Sequence, residues 1–174
     1  IHKLNVLLEG QGSPVRLSPD SGRTDETHPR VALLPNGGAV VVWESGGRTD
    51  REVRVRFMNA AGYPVTPVQT ANGFKRDNQA KPDVAVNDHG DVLVVWESER
   101  QDGDGKGVYA QRYTPGGIRV GGEIHVSQAI KWNQSRPNCV ALKDGRFVIA
   151  WIGEASHGTT QAGTPYMRWH VMGR

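Results

Sequence analysis

The stretch Asp102-Gly-Asp-Gly-Lys-Gly107 carries the densest candidate chemistry in the sequence. Two carboxylates two positions apart, with glycines that permit a tight path, suit a hard cation held partly by backbone carbonyls. Calcium at Asp102 and Asp104, helped by Gln101 or Glu99, is the metal site this spacing suggests. The full EF-hand spacing is missing, however, and the equivalent loops "GGRTDREV" and "EASHGTTQAGTP" do not repeat the carboxylates. The expectation is therefore a solvated hairpin and no cofactor, with calcium as the alternative.

A second candidate is Trp132, which lies in the polar connection "AIKWNQSRP" between Lys131 and Asn133. An aromatic in such a setting can stack on a sugar ring or anchor a protein contact. Lys131, Trp132 and Asn133 are the ligand-binding candidates; Tyr63 and Phe74 are weaker ones of the same kind. A third set is Arg56, Arg112 and Arg168, each followed by an aromatic residue. Their recurrence favours a structural role, pairing with Glu44 or Glu97 or stacking on a tryptophan.

Catalytic constellations are not evident. The six histidines are dispersed without zinc-ligand spacing, and neither a GxSxG serine nor a phosphate-cradling glycine loop occurs. No carboxylate pair stands out for glycoside hydrolysis. No catalytic residue is assigned, and the chain is expected not to be an enzyme.

Composition narrows the class. The 174 residues suffice for one domain with a real core. A formal charge of +3, with Lys and Arg scattered singly, argues against a nucleic-acid binder. No run approaches 18 apolar residues, so no membrane-spanning helix is expected. The N-terminus lacks a signal-peptide pattern. The single cysteine, Cys139, sits in the apolar run "NCVAL" and reads as a small buried hydrophobe.

What must position these residues is a repeat. The segments "HPRVALLPNGGAVVVWES", "KPDVAVNDHGDVLVVWES" and "RPNCVALKDGRFVIAWIG" align without a gap. In each, eight residues lead from a proline to a turn glycine and six more to a tryptophan: Trp43, Trp96 and Trp151. Each unit reads as four short strands, the first two joined by a glycine-bearing hairpin. The fourth strand is the weakest, around "PVQT" in the first unit and "EIHV" in the second. The second strand is apolar almost throughout, as expected when both faces are covered. Four-stranded units with a period near 50 residues point to β-propeller blades. The expected fold is all-β: about three four-stranded antiparallel blades in one repeat domain, 1–174. Its divisions are a partial unit 1–27, then 28–80, 81–135 and 136–174, the last lacking its final strand. The repeated tryptophans are expected to fill the wedges between blades.

The pattern "VVVWES … QDGxGxGVYAQRY … GGE" resembles a repeat of large secreted or surface-exposed bacterial proteins. The second unit carries it nearly whole; the first has lost "QDGxG" and the third keeps only the Pro–Gly–Trp frame with "YMRW". The resemblance implies a β-propeller and an extracellular or cell-surface location, with the periplasm as the alternative.

Three blades are too few for a conventional ring of four to eight. "SPVRLS" (13–18) is expected to supply the missing strand of the last unit. The ring is expected to be incomplete or completed by assembly: a segment of a longer array, a dimer forming six blades, or a subunit docked on a larger complex. The functional expectation is a non-catalytic, surface-exposed binding or structural-assembly module making protein contacts, including self-association, through its inter-blade loops. A carbohydrate-binding, lectin-like propeller is the alternative. A glycan-acting hydrolase of sialidase-like propeller type comes third, although the Asp-box pattern "SxDxGxTW" is absent.

Overall fold

The computed structural model describes residues 16–18, 24–128, 131–161 and 165–174. Among these, every regular element is a β-strand. The first sheet orders β1 (Asp25–Leu33), β2 (Ala39–Gly46), β3 (Glu52–Met58) and β4 (Gln69–Thr70) side by side. The second repeats that order with β5 (Gln79–Val86), β6 (Val92–Glu99), β7 (Lys106–Tyr113) and β8 (Arg119–His125). The third holds β9 (Gln134–Ala141), β10 (Phe147–Thr159) and β11 (Pro165–Gly173). All pairings are antiparallel, and no closed ring of sheets forms among the described residues. The chain is thus all-β, built from propeller-like blades.

The hairpin opening each blade is the same structure three times. Leu34, Asn87 and Leu142 donate backbone N–H groups to the carbonyls of Gly38, Asp91 and Arg146 at 2.8, 3.0 and 2.8 Å. The turn glycines Gly37, Gly90 and Gly145 have φ of 82, 84 and 88°, a region that side chains disfavour. This explains the invariant eight-residue step from proline to glycine.

Two apolar layers separate the three blades. Between the first and second, Val40, Val42, Val53, Val55 and Phe57 meet Val84, Val92, Val94, Trp96 and Tyr113. Between the second and third, Leu93, Val95, Val108 and Ala110 meet Ile149 and Trp151. Alternate residues of β6 therefore enter different layers, which accounts for its unbroken apolar sequence. Trp96 and Trp151 each sit on the face of their blade turned toward the preceding one. Trp43 occupies the corresponding position of the first blade, where its indole N–H donates to Glu26.

Among the described residues the stack has two uncovered faces. Read across from the tryptophan strands, Val53, Val108 and Val171 hold one position, opposite Glu44, Glu97 and Ile152. The first two are 0% exposed and Val171 is 83% exposed. On the face of the first blade turned away from the second, Val31 and Leu33 are likewise exposed.

Only half of "SPVRLS", the segment expected to complete the last unit, falls among the described residues. Its described part, residues 16–18, joins no strand, and the Leu17 carbonyl accepts from Arg56 of the first blade. The rest of that segment lies outside the described residues. No helix of the described residues is long and apolar enough to cross a membrane.

Candidate functional site

Each first strand breaks its pairing register just before its proline: between Thr27 and Arg30, between Ala80 and Asp83, and between Ser135 and Asn138. The residue at each bulge is basic, and each adopts a left-handed backbone: His28 at φ 52°, Lys81 at 51° and Arg136 at 53°. That conformation is uncommon for residues with a side chain, and a following proline favours extended backbone instead. Something must hold it.

Buried carboxylates of the preceding blade do so for Lys81 and Arg136. Glu44 Oε1 accepts the Lys81 amide at 2.8 Å, and Glu97 Oε2 accepts the Arg136 amide at 3.0 Å. Each glutamate is balanced within its own blade, Glu44 by Arg51 at 2.9 Å and Glu97 by Lys106 at 2.6 Å. The third blade replaces both partners. Ile152 stands where Glu44 and Glu97 stand, and Trp169 stands where Arg51 and Lys106 stand. An ion pair has become an apolar pair at the same place in the sheet.

The bulges surround a pocket where the three first strands meet. About 290 Å³ in volume, it is lined by His28, Arg30, Lys81, Asp83, Arg136 and Asn138, with Pro82 and Pro137. Lys81 Nζ lies 2.7 Å from His28 Nε2, whose other nitrogen faces Glu44 at 3.2 Å. Asp83 Oδ2 accepts the Cys139 amide at 2.9 Å, and Asp83 Oδ1 lies 3.9 Å from Arg30. The neighbouring Cys139 thiol is pushed well above its usual range by burial first and by Asp83 second, so it stays protonated. Two adjoining pockets, about 350 and 320 Å³, share Arg136 and Ser135 with one another and border Trp169, which is 45% exposed. Arg136 thus stands between the axial pocket and a half-exposed indole.

The residues singled out from sequence are placed elsewhere, and two of the sets prove to be one contact. Asp104 Oδ2 accepts the Trp132 amide at 2.9 Å, while the Trp132 carbonyl packs against Gly105, where a Cβ would come within 2.8 Å. Asn133 is tied to Glu154 Oε2 by its side-chain amide at 2.7 Å. Lys131 is exposed, and its carbonyl accepts from Gln134. Trp132 is 38% exposed, at φ 66°. Asp102 turns the other way, into the blade, 3.4 Å from His125 Nε2. The two loop carboxylates therefore serve separate protein contacts. Among the described residues no three His, Cys, Asp or Glu side chains gather as a metal ligand set.

The three arginines do not share one repeat position. Arg54, Tyr109 and Met172 face the three tryptophans, which aligns Arg56 with Gln111 rather than with Arg112. Arg56 and Arg112 consequently lie on opposite faces of their blades. Arg168 pairs with Ser156 beyond a bulge. Counted by register, the connection before β7 is two residues longer than the one before β3, and β10 carries a bulge; neither is visible in an ungapped comparison. Sequence reading also missed His28, Lys81 and Arg136, although a basic residue before each repeated proline was the available signal.

No protein-family profile and no curated protein sequence matches the chain. Solved structures do share its shape. A protein of unknown function from Dyadobacter fermentans aligns at 14% identity over 88% of this chain and 39% of its own, TM-score 0.55. A Hadza microbial sialidase aligns at 12% identity over 82% and 36%, TM-score 0.53. A Penicillium chrysogenum α-L-arabinanase, solved with arabinobiose, aligns at 16% identity over 76% and 41%, TM-score 0.50. The chain spans about two-fifths of the length of these proteins. Such likenesses establish the fold. They also correct the expectation that the chain is not an enzyme: it was drawn from the repeat architecture and the lack of motifs, and the same blade arrangement is used by glycoside hydrolases.

Proposed function

We propose that these three blades form the sugar-binding wall of a carbohydrate-active propeller, with the axial pocket as its site. The observation that carries this reading is the position of Arg136, shared between the axial pocket and the surface beside Trp169. A charged group that fixes orientation, next to an aromatic face that stacks on a ring, is the usual makeup of a small polar-ligand site. The sialidase and arabinanase among the similar folds support the carbohydrate class. Hydrolysis by the common two-carboxylate route needs a pair of acids. The described axial lining contributes one, Asp83. A secreted or cell-surface location belongs to the same proposal.

The test is a glycan array probed with the chain, followed by turnover assays on whatever it binds. Binding lost in Trp169→Ala and Arg136→Gln supports the site. Binding that survives both but is lost in Trp132→Ala moves it to the loop. Turnover abolished by Asp83→Asn assigns that carboxylate.

The uncovered faces favour a second reading alongside the first, contact with further blades or another protein. The exposure of Val171, at a position fully buried in the other two blades, supports it.

A further inference from the structure

The backbone of the axial pocket does not ask for basic residues. A left-handed position is filled most easily by glycine, asparagine or aspartate. Instead it carries His28, Lys81 and Arg136, three different basic side chains at one repeat position, each at the same unfavourable φ. Bulges commonly re-aim a side chain, and strained backbone persists where the surrounding structure insists on it. Here the insistence comes from Glu44 and Glu97, which hold the amides of Lys81 and Arg136.

The charge of the lining is lopsided. Arg30, Lys81 and Arg136 bring three basic side chains, His28 is a fourth, and Asp83 is the one carboxylate among them. Asp83 is already engaged by the Cys139 amide and Arg30. The Arg136 guanidinium has no hydrogen-bond or ion-pair partner among the described residues. Guanidinium groups bind planar and tetrahedral oxyanions through paired N–H donors. A pocket near 290 Å³ is small for a binding site, suited to one sugar residue and too narrow for a duplex.

We infer that the axial pocket takes an anionic sugar, one bearing a carboxylate or sulfate that Lys81 and Arg136 grip together. This rests on the carbohydrate reading above and specifies its ligand class. The group would enter between the Lys81 ammonium and the Arg136 guanidinium, with the ring toward Trp169. No bond is made or broken in this step.

The test is an array of uronate-containing, sialylated, sulfated and neutral glycans, with a single-stranded oligonucleotide as a further anionic probe. The chain is compared with Lys81→Gln, Arg136→Gln and their double variant. Lys143→Gln, an exposed charge change in a hairpin outside the pocket, is the control. Anionic glycans are expected to bind, roughly 10- to 100-fold more weakly with each pocket substitution and unchanged in the control. The uronate and sulfate arms tell which oxyanion is taken. Binding confined to neutral glycans would overturn the inference while leaving the carbohydrate reading standing. Anionic binding that survives the double variant, or equal binding to the oligonucleotide, also overturns it. Absence of binding to any glycan overturns both readings.

Discussion

Glu97 of the second blade accepts the backbone amide of Arg136 in the third, across the boundary between them. It joins sequence repeat, blade stacking and candidate site in a single hydrogen bond. Removing the carboxylate takes the acceptor from the Arg136 amide and leaves Lys106 without its partner. Breaking a fully buried pair costs about 3–5 kcal/mol, but Lys106 is 41% exposed, which reduces the loss. Glu97→Ala is expected to destabilise by about 2–4 kcal/mol in urea denaturation. Glu97→Gln, which can still accept from the amide, should cost less.

The uncovered face makes a contrast that one substitution can read. Val53 and Val108 are packed on every side, whereas Val171 at the same repeat position faces solvent. Truncation to alanine should cost about 2 kcal/mol at either buried site. At Val171 it should cost less than about 0.5 kcal/mol. A similar loss at all three would mean that Val171 is covered in solution.

Alkaline pH gives a signed test of the core. Burial, opposed by Arg119 and aided by Glu123, pushes the Tyr113 phenol up to about 12. An unfolded tyrosine ionises near pH 10. The folded state therefore keeps its proton longer, so this contribution is complete below about pH 10 and is lost as pH rises toward 12. The loss is roughly 2–3 kcal/mol. Tyr109 is shifted the same way, chiefly by burial and then by Asp102 and Glu123. Urea midpoints measured upward from pH 8 should fall above pH 10, and less steeply in Tyr113→Phe. An unchanged slope in that variant would assign the effect elsewhere.

The loop that resembles a cation site is expected to act as a clamp. Asp104→Ala removes the acceptor for the Trp132 amide and should cost about 0.5–2 kcal/mol, as for a lost helix cap. Amide exchange should quicken first at Trp132 and Asn133. Exchange quickening only elsewhere would contradict the clamp.

The blades were legible because their causes are local and periodic. The glycine step, the two-sided apolar strand and the tryptophan each recur at fixed spacing, and each has one physical reason. The site was not legible for the opposite cause. His28, Lys81 and Arg136 look like three unrelated charges until the bulges gather them around one pocket. The arginine set failed because Arg56 and Arg112 resemble each other in sequence context but face opposite ways once the strands are paired. Following an arginine as Phe57 and Tyr113 do, Trp169 looks like their counterpart in sequence, whereas the register places it in the seat of Arg51 and Lys106. Strand pairing carries that information, and an ungapped alignment does not.

The most direct measurement is a crystal structure of the chain soaked with the strongest anionic glycan from the array. An oxyanion seated between Lys81 and Arg136, with His28 beside it and the sugar ring against Trp169, is the predicted result. Sugar density at Trp132 or on another surface, with the axial pocket holding only water, would contradict the account.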